Sequence, residues 1–310
     1  MSDNRPAVAT SGDLRADRRF LYAEASAAEG DHATAAELLE QCLEVAPDWA
    51  PAWFALGGAR ERLGDVAAAI SAYQRALAGD PEGELGALLA LARLGAAQLP
   101  AAAAPAYVAR LFDQYAPRFE AHLLDRLGYR APALLRDAIA EVCAHTNRPM
   151  HFARALDLGC GTGLAGAAFR DCADLFEGVD LSVGMIAEAR AKCIYDVLYV
   201  GDVLDHLRSL PDRTFDLVLA ADLLVYIGDV APLFTEIARI LARDGLFAFS
   251  AESHGGGGYV IGSEMRYAHS QTYLHETVRQ VDLSPRLLNP GTTRRNKGAV
   301  VPGLIGVISA

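Results

Sequence analysis

The stretch Asp157-Leu158-Gly159-Cys160-Gly161-Thr162-Gly163 constrains this chain more than any other part of it. An apolar run at 152–156 precedes it and reads as a buried strand, and a helical stretch to about Phe169 follows. Glycines at alternate positions let the backbone turn sharply and approach a ligand, and the start of the next helix offers free N–H groups. Asp180 ends the next apolar run at about the 20-residue spacing expected of a carboxylate that accepts hydrogen bonds from ribose hydroxyls. These features predict a nucleotide-type site. Glycine spacing alone does not choose the ligand, because Gly161, Gly163 and Gly166 also satisfy the G-x-G-x-x-G pattern of dinucleotide enzymes. The discriminating residue is Asp157. A carboxylate at the mouth of the loop repels a pyrophosphate and suits an ammonium group such as that of a methionine moiety.

Around the loop, β-rich runs at 152–156, 176–180, 197–200, 215–221 and 246–250 alternate with helical stretches. That alternation predicts an α/β fold with a mostly parallel sheet and helices on both faces. The first third differs. Aligned on itself at a 34-residue offset, it pairs Gly30-Asp31 with Gly64-Asp65, Ala35 with Ala69 and Pro47 with Pro81, a tetratricopeptide period. Residues 50–83 carry Trp53, Leu56, Gly57, Ala69, Tyr73, Ala76 and Pro81 where that repeat places its large, small and breaker residues. Residues 16–49 match less well, with Arg19 where the second copy has Trp53, and residues 83–96 read as one closing helix. The expected organisation is an all-α repeat domain at 1–97, a proline-flanked alanine linker at 98–105 and the α/β domain at 106–310. A repeat surface of this kind takes a protein or peptide partner, or serves only packing or dimerisation.

Charge narrows the partners. Of the net charge of −11, the first 100 residues supply −7, from 15 acidic against 8 basic residues. Such a surface does not attract phosphate backbones at long range, so nucleic acid is not expected as a partner despite the local run Arg294, Arg295 and Lys297. The five cysteines form no C-x-x-C pair and have no histidine spacing suited to zinc, so no metal is expected and a cytoplasmic, reducing location fits them. The polar N-terminus lacks a signal-peptide core, and no apolar run reaches the roughly 18 residues of a membrane helix.

On these motifs residues 106–310 resemble a class I S-adenosylmethionine-dependent methyltransferase, Rossmann-like in fold, and the whole chain resembles the methyltransferases that carry tetratricopeptide repeats. The resemblance implies S-adenosyl-L-methionine as cofactor. It matches Asp157, Gly159, Gly161 and Gly163 to the family's first motif, Asp180, with Leu181 beside it, to the ribose-binding acid, and Met185 to a position that packs on adenine. It places Asp202 and Val203 at the adenine amino group, Asp222 beside the methyl donor, and Tyr115 and Phe119 on a helix that covers the pocket. Plain alternatives stand beside these roles: Asp202 and Asp222 as turn or cap residues, Met185 as core.

Methyl transfer is an in-line displacement that needs alignment and exclusion of water more than acid–base chemistry. Where a base is needed, Glu252, His254 and His269 follow the fifth strand, and His269 and Glu252 are the catalytic candidates. Arg266, or Arg294 with Arg295, would meet an acceptor's carboxylate. The leading expectation is methylation of a small molecule; the alternative is a protein methyltransferase whose repeats recruit the polypeptide. A cofactor sensor without turnover and a dinucleotide oxidoreductase rank below both.

Overall fold

The computed structural model describes residues 10–123, 127–296 and 299–310. Lys297 and the first nine residues lie outside the described residues. The chain divides into two units, Met1–Pro100 and Ala101–Ala310.

The first unit is helical: α1 (Leu14–Ala28), α2 (His32–Val45), α3 (Ala50–Arg62), α4 (Val66–Ala78) and α5 (Ala87–Arg93). The repeated Gly-Asp pair has one structural meaning in both copies. Gly30 (φ +87°) and Gly64 (φ +81°) turn the chain out of α1 and α3 through the left-handed region, where a side chain is disfavoured. Asp31 and Asp65 then cap α2 and α4, accepting from the N–H of Thr34 at 3.0 Å and of Ala68 at 3.1 Å. Gly57 lies flat against Tyr73, since a Cβ there would come within 2.6 Å of the ring. The closing helix is shorter than 83–96, because Gly86 adopts φ +76° and Asp80 ties down the N–H groups of Glu84 and Leu85 in a turn.

The second unit opens with α6 (Pro105–Tyr115), α7 (Phe119–Ala121) and α8 (Ala131–His145). Strands and helices then alternate: β1 (Phe152–Leu158), α9 (Leu164–Phe169), β2 (Ala173–Asp180), α10 (Val183–Ala191), β3 (Val197–Val200), α11 (Val203–Ser209), β4 (Phe215–Ala220), α12 (Ala231–Ile240) and β5 (Leu241–Ser253). After them come β6 (Tyr259–Ile261), β7 (Tyr267–His269), α13 (Gln271–Gln280), β8 (Ser284–Gly291), β9 (Arg295–Asn296), β10 (Ala299–Val300) and β11 (Gly303–Ser309).

The main sheet runs β3-β2-β1-β4-β5-β11-β8, parallel from β3 to β5 and antiparallel across β11 and β8, with β7 continuing the edge of β5 at Glu252 and Ser253. Alternation along each strand feeds two apolar layers. Leu246 and Ala248 of β5 join Leu135 and Ile139 of α8 on one face, while Phe247 and Phe249 join Phe234 and Ile237 of α12 on the other. The α/β architecture is the one expected, but β6, β7, β8 and β11 were not anticipated. Pro285 and Pro290 make β8 a poor strand by composition, and it is tolerated as the outer strand of the sheet. Strand order reverses between β1 and β4, and the crevice at the carboxyl ends of these strands is where an open α/β sheet holds its ligand.

Candidate active site

At that crevice lies a cavity of about 380 Å³, walled by residues of the second unit, a size that suits one or two small molecules. One part of it is made by the glycine loop. Gly159 (φ +66°) and Gly161 (φ +53°) line it, and the N–H groups of Gly159 and Cys160 both donate to the Val179 carbonyl, at 2.9 and 3.0 Å, which holds the loop against β2. A Cβ at Gly159 would press to 3.1 Å from the Leu223 side chain, and the positive φ there disfavours any side chain. Asp180, which also lines the cavity, accepts from the Gly161 N–H at 2.9 Å and the Ser182 N–H at 2.8 Å. Burial pushes its carboxyl above the ordinary value, and these two backbone bonds oppose the shift. Each carboxylate oxygen keeps acceptor capacity for a ligand.

Leu181, Asp202, Val203, Asp222 and Tyr115 also line the cavity. Asp202 is a helix cap as well, accepting from the N–H groups of Leu204 and Asp205, so the bland role and a place at the cavity coexist. The helix expected to carry both Tyr115 and Phe119 is broken at Ala116–Arg118, so the cover consists of α6 and α7, each stitched down at one point. Asp113 accepts from the Ser182 hydroxyl at 2.6 Å and the Gly184 N–H at 2.9 Å, and Glu120 takes Thr162 and Lys192. Phe112, Tyr115 and Phe119 pack edge to face beneath it, with ring centroids of Tyr115 and Phe119 5.3 Å apart. Ala101 to Ala103, from the stretch read as linker, complete a wall: Ala102 bridges Ile227, and the Ala103 N–H donates to the Tyr226 carbonyl at 2.9 Å.

Three of the expected cofactor contacts fall elsewhere. Met185 is fully buried in the core and does not line the cavity. Gly163 starts α9 and faces Tyr195 and Ile194 instead. Asp157 is not at the mouth of the loop: it is fully buried, away from the cavity lining, because Tyr195 folds over it and donates its hydroxyl to Oδ2 at 2.6 Å. Asp157 Oδ1 is buried without a partner, and burial raises the carboxyl to about 7, with the Tyr195 bond pulling the other way. Nothing in the sequence marks Tyr195, which sits in the turn before β3 and fills the notch left by Gly166.

The catalytic candidates are also displaced. His269 is fully buried, stacks on Tyr273, and points Nε2 at the carbonyls of Ile227 (2.9 Å) and Gly228 (3.1 Å). Carbonyls only accept, so Nε2 carries the proton, and burial lowers the ring to about 4. It is a neutral core histidine, off the cavity. His254 is engaged with the Gly258 carbonyl. Glu252 is no free base either, because its Oε1 accepts from Arg266 at 2.7 Å and from Arg294 at 2.8 Å.

Those two arginines do reach the cavity. Arg266 binds Glu252 through Nε, Asp222 through Nη2 at 2.8 Å and the Tyr226 hydroxyl through Nη1 at 3.3 Å, and its guanidinium lies 5.5 Å from the Tyr226 ring centroid. Asp222 holds a left-handed φ of +63°, with its N–H on the Ser250 hydroxyl at 2.9 Å, a strained conformation of the kind that concentrates at functional sites. Arg295 is exposed.

Residues 156–249 match the family model of a methyltransferase domain, and residues 26–92 match that of a tetratricopeptide repeat. The chain thus carries a methyltransferase domain and tetratricopeptide repeats. Methyltransferase-like protein 27 of Homo sapiens is 36% identical over 109 residues, 35% of this chain and 43% of that protein. Malonyl-[acyl-carrier protein] O-methyltransferase of Geobacter sulfurreducens is 36% identical over 103 residues, 32% of this chain and 38% of that protein. The chain thus spans about two-fifths of the length of these curated relatives. Among solved structures, magnesium protoporphyrin IX methyltransferase of Synechocystis PCC 6803 with bound SAM aligns with a TM-score of 0.43 at 17% identity, over 57% of this chain and 78% of that one. Among the described residues, no helix is long and apolar enough to cross a membrane.

Proposed function

We propose that this chain binds S-adenosylmethionine in the crevice between β1 and β4 and passes its methyl group to a small-molecule acceptor in the same cavity. The observation that carries the reading is the pairing of a cradle with a carboxylate: Gly159 and Gly161, both left-handed, line the cavity beside Asp180, whose two oxygens are oriented by backbone N–H groups. The group fits this lining. Asp180 has acceptor capacity for ribose hydroxyls, Leu181, Val203 and Leu204 offer apolar surface to a purine, and Asp202 keeps an oxygen for its amino group. When bound, the sulfonium supplies an activated methyl group.

The chain's own part is positioning and exclusion of water. Phe112, Tyr115 and Phe119 cover the cavity, and Asp113 and Glu120 latch that cover to α10 and the glycine loop. Asp157 orients Tyr195 from beneath the loop and so acts through the loop's shape. Among the described residues that line the cavity there is no histidine, which suits an acceptor that arrives already deprotonated or that loses its proton to water. A cavity of this volume favours a small acceptor.

Isothermal titration of the purified chain with S-adenosylhomocysteine, with NAD as control, tests the reading. Stoichiometric binding of S-adenosylhomocysteine alone is expected; binding of NAD alone would move the chain to the oxidoreductases.

A further inference from the structure

We propose that the acceptor is an organic carboxylate, held by the guanidinium of Arg294. The proposal rests on the methyl-transfer reading above and adds the substrate class. Arg294 is only 7% exposed and lines the cavity. Its Nη2 donates to Glu252 Oε1, yet its Nε is buried and has no partner among the described residues. A guanidinium does not deprotonate in a protein interior, so an unmade donor there is relieved by an acceptor on water or on a bound molecule.

The neighbouring arginine shows the contrast. Arg266 is satisfied on all three nitrogens, by Glu252, Asp222 and Tyr226. Asp222 serves Arg266, while the Glu252 oxygen is divided between both guanidiniums, so Arg294 has only a share of one carboxylate to balance its charge. The position of Arg294 is also fixed by backbone: the Arg130 N–H donates to the Thr293 carbonyl and the Arg295 N–H to the Leu127 carbonyl, each at 2.8 Å. A fixed, forked, under-neutralised cation at the cavity wall matches the planar geometry of a carboxylate. Phe112, Tyr129 and Tyr226 line the same cavity and provide a wall for an aromatic or aliphatic body.

The test uses the full chain saturated with S-adenosylhomocysteine and titrated with benzoate, hexanoate, benzamide and inorganic phosphate. Saturable binding of at least one acid, with benzamide about tenfold weaker or worse, is expected. Arg294→Gln should weaken the acid about tenfold or more, and Arg294→Lys should retain part of the affinity. Glu252→Gln removes the competing carboxylate and should tighten the acid by about threefold or more, a change that a purely structural ion pair does not produce. If Arg294→Gln also loses S-adenosylhomocysteine, the Lys and Glu252 variants decide. Failure of both acids to bind, or acid affinity within about twofold of the parent in these variants, overturns the carboxylate, as does binding of phosphate alone. Failure of the parent chain to bind S-adenosylhomocysteine overturns the methyl-transfer reading, and this proposal falls with it.

Discussion

Two parts of one cavity are built by different means. The glycine-loop part comes from a strand, a turn and the end of the next strand, within residues 157–182, and much of its work is done by backbone: positive-φ glycines and N–H groups directed at Asp180. The arginine part comes from four segments distant in sequence, with Asp222 after β4, Glu252 on β5, Arg266 before β7 and Arg294 before β9, and the charged groups meet through side-chain ion pairs. The first tolerates little change because its geometry is local. The second depends on charges that neutralise one another, so removing one strands the rest.

The largest expected effect separates the two parts. Arg266→Gln leaves Asp222 and Glu252 without their shared cation, and breaking a buried pair of this kind costs about 3–5 kcal/mol. Thermal unfolding should show a fall in Tm of roughly 2–4 °C per kcal/mol lost. A Tm within a degree or so of the parent would mean that the network is not the keystone of that wall.

Asp180→Ala should act on the other part, lowering affinity for S-adenosylhomocysteine about 100-fold while leaving Tm much less affected than Arg266→Gln does. Calorimetric titration measures it, and a loss under about tenfold would remove Asp180 from the cofactor site.

A smaller effect concerns Asp157, whose carboxyl burial raises from 3.8 to about 7. A folded value above the unfolded one means the folded state holds its proton longer. Stability is therefore lost as pH rises from about 4 through 7 and stays lost above that. Asp157→Asn keeps an acceptor for Tyr195 and has nothing to ionise, so its Tm should exceed the parent's at pH 8 and approach it near pH 4. A constant difference across that range would show that Asp157 ionisation is not linked to folding.

The smallest change is expected from removing residues 1–97, which we propose as a separable repeat domain. The remaining chain should bind S-adenosylhomocysteine within about threefold of the full protein. Unfolding of the truncated chain would place the boundary elsewhere.

How much of this could be read in advance follows from the same division. Gly159, Gly161 and Asp180 were identifiable because turn geometry demands those residue types at those spacings. The Gly-Asp caps of the repeats were identifiable for the same local reason. Asp157 was named but misplaced, since whether a carboxylate faces a cavity or a tyrosine depends on Tyr195, 38 residues away. His269 and Glu252 were misjudged as bases for a parallel reason. A histidine's role depends on which atoms surround it, and here those atoms are the carbonyls of Ile227 and Gly228. Strand β8 was hidden by Pro285 and Pro290, whose lack of N–H groups is harmless in an outer strand.

By itself the sequence determined the two kinds of fold and the glycine turn that lines the cavity. Helical period, strand alternation and glycine spacing are short-range consequences of backbone geometry, and neighbouring residues suffice to encode them. Only the tertiary structure decided that Asp157 is covered, that His269 is core, and that Arg294 lies in the cavity while Arg295 faces outward. Burial and ion pairing arise between segments that meet only when the sheet closes, and those contacts, more than residue type, set the charge state and role of a side chain.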